Sequence, residues 1–214
     1  MSVSAILLAA GRGERMGAAA PKAFLALAGR PLFMHSLEKF ARVAQEVVLV
    51  VPEERVDEAA KIAGAGVVVT AGGAERQDSV ERGLARLRLQ GVVAVHDTAR
   101  ALVSAATIER VIAAAPAIAA VPASDTLKRV GPGGAILNTL DRSEIWQAQT
   151  PQAFPVAMLR RAFERARSTA HRGTDCSSLV EELGERVRVV PPEGPNFKIT
   201  TPEDLLLAEA LLRR

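Results

Sequence analysis

The sequence predicts a doubly wound α/β fold, a mostly parallel sheet with helices on both faces and a β-hairpin arm projecting from it. Two observations carry that expectation. Short β-branched apolar runs alternate with longer helical patterns along most of the 214 residues, an order that buries parallel strands on both faces and connects them by right-handed crossovers. Over residues 126–149 the pattern changes to two alternating segments around a Pro-Gly-Gly turn, which signals a hairpin rather than another strand-helix-strand unit.

In chain order, VSAILLA is a continuous apolar strand and is followed by a glycine-rich loop. PLFMHSLEKFAR, opened by Pro31, reads as a helix, EVVLVV as the second strand, and EERVDEAAKIA after Pro52 as the second helix. GVVVTA, ERQDSVERGLARLRL and VVAVH repeat the strand, helix, strand order, and SAATIERVIAAA and AIAAVP extend it. After the arm, PVAMLRRAFERARS and TDCSSLVEELG read as helices, RVRVV and NFKIT as strands, and a last helix begins at Pro202. Thr201, Pro202 and Asp204 form its start. In such sheets ligands bind beyond the carboxyl ends of the strands, and that rule selects the loops of interest.

The length suits a single domain over residues 1–214, with 126–149 as an arm within it. A hydrophobic fraction of 49% against 24% charged excludes a disordered chain. The net charge of +3 is scattered rather than blocked, which argues against a nucleic-acid partner and suits small anionic ligands. The one cysteine, Cys176, excludes an internal disulfide framework and a thiolate metal cluster; it reads as structural. MSVSAILLAA has no positive n-region, and its apolar run ends at Gly11 before membrane-spanning length. A cytoplasmic protein with no membrane segment is expected.

The loop LLAAGRGERMGAAAPKAF, directly behind the first strand, lacks the Gly-Lys-Ser/Thr ending of a Walker A loop. Met16 stands where a dinucleotide fingerprint has its third glycine, and the strand ending at Val51 carries no acidic residue for a ribose. A plain strand-to-helix turn would explain the glycines alone. Arg15 and Lys22 add mobile positive charge beside backbone N–H groups, the combination that suits a nucleoside triphosphate.

AAGRGERMG…PK resembles the nucleotidyltransferase loop of enzymes that join a nucleoside monophosphate to a sugar or polyol phosphate. GGAERQDSVERGL, VHDTAR, SDTLKR, TLDRSEIWQAQTPQAF, TDCSSLVEELG and NFKITTPEDLLLAE follow in an order that, over nearly the whole chain, is similar to the 2-C-methyl-D-erythritol 4-phosphate cytidylyltransferase family. The resemblance implies a Rossmann-like nucleotidyltransferase fold. It also implies transfer of CMP from CTP to methylerythritol phosphate with loss of pyrophosphate, a divalent ion such as Mg2+, and a homodimer joined through the β-arm. Ribitol 5-phosphate cytidylyltransferase, which shares fold, loop and much of the hairpin, remains an alternative, as does a non-catalytic nucleotide-binding regulator. Loss of Arg15, Lys22 or Asp97 would mark the regulator, and all three are present.

By resemblance, Arg15 and Lys22 hold the triphosphate and stabilise charge developing at the α-phosphate, while Arg142 and Lys198 position the attacking phosphate. Lys198 falls in an expected strand and Arg142 at the return of the hairpin, and each could instead be a solvated charge. Asp97 follows VAVH at the carboxyl edge, where a carboxylate can hold magnesium between phosphate oxygens; capping the next turn is its alternative. Arg100, Thr126, Thr150 and Thr174 are implied polyol-phosphate contacts, with Arg142 and Asp97, although Thr174 could cap a helix. His96 reads as a packed strand-end residue. Backbone groups of Ala9, Ala10, Gly11, Gly13 and Gly73 with the Ser79 hydroxyl are implied to hold CTP together with Arg15, Lys22, Asp97 and Lys198. Leu8, Ala23, Ala74 and Ala101 depart from the common pattern, and Ala74 puts one cytosine contact in question.

Overall fold

The structure is a computed structural model that describes residues 1–11, 13 and 21–213. β1 (Val3–Leu8) leads through the glycine loop to two short strands, β2 (Ala26–Leu27) and β3 (Arg30–Pro31), then to α1 (Leu32–Phe40) and β4 (Glu46–Val51). α2 (Val56–Ala63), β5 (Val67–Ala71), α3 (Arg76–Arg86), β6 (Val92–Asp97), α4 (Ala105–Ala113) and β7 (Ala117–Pro122) continue the alternation. β8 (Lys128–Val130) and β9 (Ile136–Thr139) form a separate hairpin, after which come β10 (Trp146–Pro155), α5 (Val156–Ser168), α6 (Cys176–Glu181), β11 (Arg188–Val190) and α7 (Pro202–Leu212).

The main sheet has seven strands in the order β11-β7-β10-β6-β1-β4-β5. β1, β4, β5 and β6 pair in parallel, as do β7 and β11, whereas β10 runs antiparallel to both its neighbours. The chain leaves β1 toward β4 and β5, then returns to β6 on the other side of β1. The resulting switch point opens a crevice beyond the ends of β1 and β6, where Leu8 lies opposite Asp97.

Side-chain alternation explains why both faces carry helices. Ala5 and Leu7 of β1, with Val47, Leu49, Val92 and Ala94, face Phe33, Leu37, Phe40, Ile108 and Val111 of α1 and α4. Ile6, with Val48, Val50, Val93 and Val95, faces Val80 and Leu84 of α3, Leu159 and Phe163 of α5, and Leu179 of α6. Since successive residues of a strand point to opposite faces, an all-apolar strand must be covered on both. A third cluster of Leu27, Leu32, Ala101, Ile199 and Ala208 fastens α7 and the chain before it against the mouth of the crevice. The expected start of that helix is present, with Thr201 Oγ1 accepting from Asp204 N–H and Asp204 Oδ2 accepting from Thr201 N–H.

Two elements differ from the expectation, and the alternative reading of Thr174 does not hold. The arm is shorter than residues 126–149, because Trp146–Pro155 is a strand of the main sheet. Its register shifts between Ala148 and Gln152, around Pro151, whose missing N–H interrupts a ladder and hides the strand from sequence pattern. Residues 196–200 form no strand; Ile199 N–H donates to Ala99 O at 2.8 Å without building a ladder, so this segment is held by separate anchors. Thr174 does not cap α6: Asp175 does, accepting from Ser178 N–H at 2.9 Å.

Candidate active site

The crevice has a volume of about 670 Å³ and is lined from four directions. Leu8, Ala9, Ala10, Gly11, Gly13, Lys22 and Ala23 come from β1 and its loop; Gly73, Ala74, Glu75, Arg76 and Ser79 from the turn into α3; Asp97, Thr98 and Ala99 from the end of β6; and Lys198 and Thr200 from the segment before α7. That volume suits a nucleotide-sized ligand. Residues far apart in sequence meet here because the ends of neighbouring parallel strands are adjacent. Thr98 stitches two of them, its N–H and Oγ1 both donating to Leu8 O.

Small residues let the backbones approach. Gly13 has φ +69°, and a Cβ there would stand 2.6 Å from Lys22 Cβ. A Cβ on Gly72 would stand 2.4 Å from Ala10 Cβ. No side chain fits between these loops without moving one of them. Gly73 N–H donates to Ser79 Oγ at 3.1 Å, and Ser79 Oγ in turn donates to Glu75 O, so the Ser79 hydroxyl fastens the turn as well as lining the crevice.

Asp97 is the electrostatic centre. Its Oδ1 accepts from Arg76 Nε at 3.0 Å and its Oδ2 from Lys198 Nζ at 2.8 Å. Burial alone would raise this carboxyl, but the Arg76 guanidinium and the Lys198 ammonium overcome it and hold Asp97 well below the usual carboxylate range. For Arg76, burial works against the charge, and Asp97 together with the Cys176 sulfur more than restores it. Lys22 Nζ donates to Ile199 O at 2.8 Å, which spans the crevice mouth. Beneath Asp97, Thr150 Oγ1 accepts from Asp97 N–H at 3.0 Å and lies 3.1 Å from His96 Nδ1. Burial pushes the His96 imidazole down to about 3, leaving it neutral. His96 is packed against Phe40, as expected.

Of the residues selected from sequence, Ala9, Ala10, Gly11, Gly13, Lys22, Gly73, Ser79, Asp97 and Lys198 line one crevice. Arg15 lies outside the described residues. Thr150 sits behind Asp97 rather than on the crevice wall, 5% exposed and hydrogen-bonded inward. Arg100 also points away, Nη1 donating to Asn196 O at 2.7 Å, with burial lowering its guanidinium. Thr174 is exposed beside a second, much smaller cavity of about 10 Å³ next to Cys176. Thr126 and Arg142 stand at the root of the arm, both exposed, with Arg142 Nη1 donating to Ser124 O. Neither lines the crevice of its own chain.

Sequence reasoning passed over Arg76. A signal was available: an arginine in the first turn of a helix opposes the positive end of the macrodipole, so its presence directly after Gly-Gly-Ala-Glu calls for another reason. Gln152 was also missed. Its Nε2 donates to Asp175 Oδ2 at 2.7 Å and its Oε1 accepts from Cys176 N–H at 3.0 Å, tying α6 to β10. Cys176 is buried and burial raises its thiol, in keeping with a structural residue.

Comparison with known proteins matches residues 3–214 to the family model for 2-C-methyl-D-erythritol 4-phosphate cytidylyltransferase. A protein of that name from Halalkalibacterium halodurans is 42% identical, with 99% of this chain and 97% of the relative covered. One from Syntrophus aciditrophicus is 43% identical over 99% and 96%. The crystal structure of the Thermus thermophilus enzyme of that name superposes with a TM-score of 0.85 at 40% identity, all of both chains covered. A 4-diphosphocytidyl-2C-methyl-D-erythritol synthase from Anaerococcus prevotii superposes with a TM-score of 0.87 at 30% identity, over 100% of this chain and 96% of that one. With its switch-point crevice, and with matches that run the length of the chain, this protein belongs to the 2-C-methyl-D-erythritol 4-phosphate cytidylyltransferase family of nucleotidyltransferases.

Proposed function

We propose that the protein transfers CMP from CTP to 2-C-methyl-D-erythritol 4-phosphate, giving 4-diphosphocytidyl-2-C-methyl-D-erythritol and pyrophosphate. The observation that carries this reading is a crevice of nucleotide size lined by three cations, Lys22, Arg76 and Lys198, the last two paired with one ionised carboxylate, Asp97. Two polyanions must meet before any bond forms, so charge neutralisation is the central task. The substrate phosphate oxygen attacks the α-phosphorus in line, a new P–O bond forms, the α–β P–O bond breaks, and pyrophosphate leaves opposite. No side-chain nucleophile is required. Lys22, with Arg15, holds the triphosphate and the charge that grows on the departing pyrophosphate. Lys198 orients the attacking phosphate, and the glycine-walled side of the crevice, with Ala9, Ala10, Gly73 and Ser79, takes the base.

Among the described residues no three His, Cys, Asp or Glu side chains gather into a metal-binding group. Magnesium is commonly held by one or two carboxylates, with phosphate oxygens and water completing its shell, and an ionised Asp97 facing the crevice fits that pattern. When bound there, the ion would supply Lewis-acid neutralisation of phosphate oxygens.

The assembly we propose is a homodimer joined through the arm. Ile136 and Leu137 on β9 are 64% and 63% exposed, and an isolated two-stranded hairpin is marginal in water without a surface to cover it. Thr126 and Arg142, at the root of that arm, would then reach the neighbouring chain's crevice. The CTP chemistry and free thiol suit the cytoplasm. Among the described residues no helix is long and apolar enough to cross a membrane.

Purified protein given CTP, magnesium and methylerythritol phosphate tests the function, with pyrophosphate and the cytidylylated product measured together. Ribitol 5-phosphate is the parallel substrate. Faster turnover of ribitol phosphate would replace the proposed substrate, and absence of product from either would refute cytidylyl transfer.

A further inference from the structure

Asp97 gives each carboxylate oxygen to a different cation, and the two cations are held differently. Arg76 is the first residue of α3, at a turn fixed by Gly73 N–H on Ser79 Oγ and Glu75 N–H on Asp78 Oδ2. Its Nε meets Asp97 Oδ1 at 3.0 Å while its Nη1 lies 3.8 Å from Cys176 Sγ on α6. A planar guanidinium engaged at two edges cannot turn without losing both contacts. Lys198 instead comes from a segment without strand or helix, and its side chain is 39% exposed against 29% for Arg76. Its ammonium is a point charge on a flexible stem.

We propose that Arg76 is a positioning residue that fixes the Asp97 carboxylate through Oδ1 and leaves Oδ2, with Lys198, as the side that exchanges when a ligand phosphate enters the crevice. The inference rests on the cytidylyltransferase reading and adds to it a division of roles between the two cations. It accounts for an arginine at an unfavourable helix position: its charge is directed at Asp97 rather than along α3. It also predicts the consequence of losing Arg76. Among the described residues Lys198 is then the one cation left hydrogen-bonded to Asp97; it stays there and is withdrawn from substrate phosphate.

The test follows Lys198 directly. Lysines are methylated with ¹³C-formaldehyde, and the Lys198 signal is assigned by its absence in Lys198→Arg. In the wild type, CTP is expected to shift this signal; in Arg76→Gln it is expected to stay in place while kcat/KM falls by about 10²-fold, the scale of losing one preorganised electrostatic group. Arg76→Lys keeps the charge but neither the plane nor the second contact, and is expected to recover less than about a tenth of wild-type kcat/KM. Wild-type kcat and KM in Arg76→Lys would overturn the inference, as would a Lys198 signal that CTP shifts equally in Arg76→Gln. The wild type supplies an independent measurement should either variant fail to fold: the Arg76 Nε–H resonance is expected to remain protected from solvent and unshifted when CTP binds. A large shift or loss of protection would overturn the proposal. Wild-type protein that makes no product from CTP would instead refute the cytidylyltransferase reading itself.

Discussion

Asp97→Asn removes one charge and little volume from the centre of the crevice. Asparagine keeps one carbonyl oxygen, so one of the two cations retains a neutral acceptor and the other faces an amide NH2. The wild-type contacts are 3.0 Å to Arg76 and 2.8 Å to Lys198, and charge-assisted bonds of this kind contribute about 1.5–3 kcal/mol each. The Asp97 side chain is only 12% exposed, but those of Arg76 and Lys198 are 29% and 39% exposed, so water recovers part of the loss. A net destabilisation of about 2 kcal/mol follows, which for a chain of this size lowers Tm by roughly 4–8 °C. The pH dependence has a definite sign. Asp97 is depressed in the folded protein relative to an unfolded value of about 3.9. Its stabilisation is therefore complete above that pH and is lost as pH falls through the folded value. The difference between wild type and Asp97→Asn is expected to be full at pH 7 and smaller by roughly 1 kcal/mol at pH 3. Thermal unfolding of both proteins at the two pH values measures it, and a magnesium titration of CMP transfer on the same samples measures the metal dependence. Equal melting at pH 7, or a difference that does not narrow at pH 3, would refute the ion-pair reasoning. An unchanged magnesium titration would make Asp97 a structural residue.

Other perturbations separate binding from architecture. Lys22→Ala is expected to lower turnover by about 10²–10³-fold with CTP and magnesium saturating, and near-normal turnover would remove Lys22 from the machinery. Gly72→Ala places a methyl against Ala10, where a Cβ would meet another at 2.4 Å; CTP affinity by calorimetry should fall, and unchanged affinity would show that the two loops can separate freely. Ile199→Ala empties a fully buried site behind Lys198 and should destabilise by about 2–5 kcal/mol, read by urea unfolding, while a loss under about 1 kcal/mol would mean that the segment is not anchored there. Mixing an inactive Arg142→Ala dimer with an inactive Lys22→Ala dimer under subunit exchange should restore one intact site per heterodimer. Verified heterodimers as inactive as both parents would confine Arg142 to its own chain or to no site.

Local and periodic information determined much of this protein. Continuous apolar strands such as EVVLVV imply burial on both faces, and both helix layers are present, with Leu7 and Ile6 facing opposite cores. The start of α7 was legible because a capping box is a matter of four adjacent residues. Glycines with Lys22 behind a first strand, and Asp97 at the end of another, were enough to locate the crevice, since adjacency of strand ends follows from the topology. Features that depended on partners distant in sequence were not legible. Pro151 disguised β10, which is a strand because β7 pairs with it on both sides of the irregularity and β6 pairs with it beyond. NFKIT has the pattern of a strand but joins no sheet among the described residues. Thr150, expected against substrate, turns inward because Asp97 N–H and His96 lie behind it. Arg76 acquires its role from Asp97, 21 positions away, and Lys198 meets the same carboxylate across 101. A carboxylate's partners are set by whichever loops the tertiary fold brings within about 3 Å, and no periodicity along the chain encodes that distance.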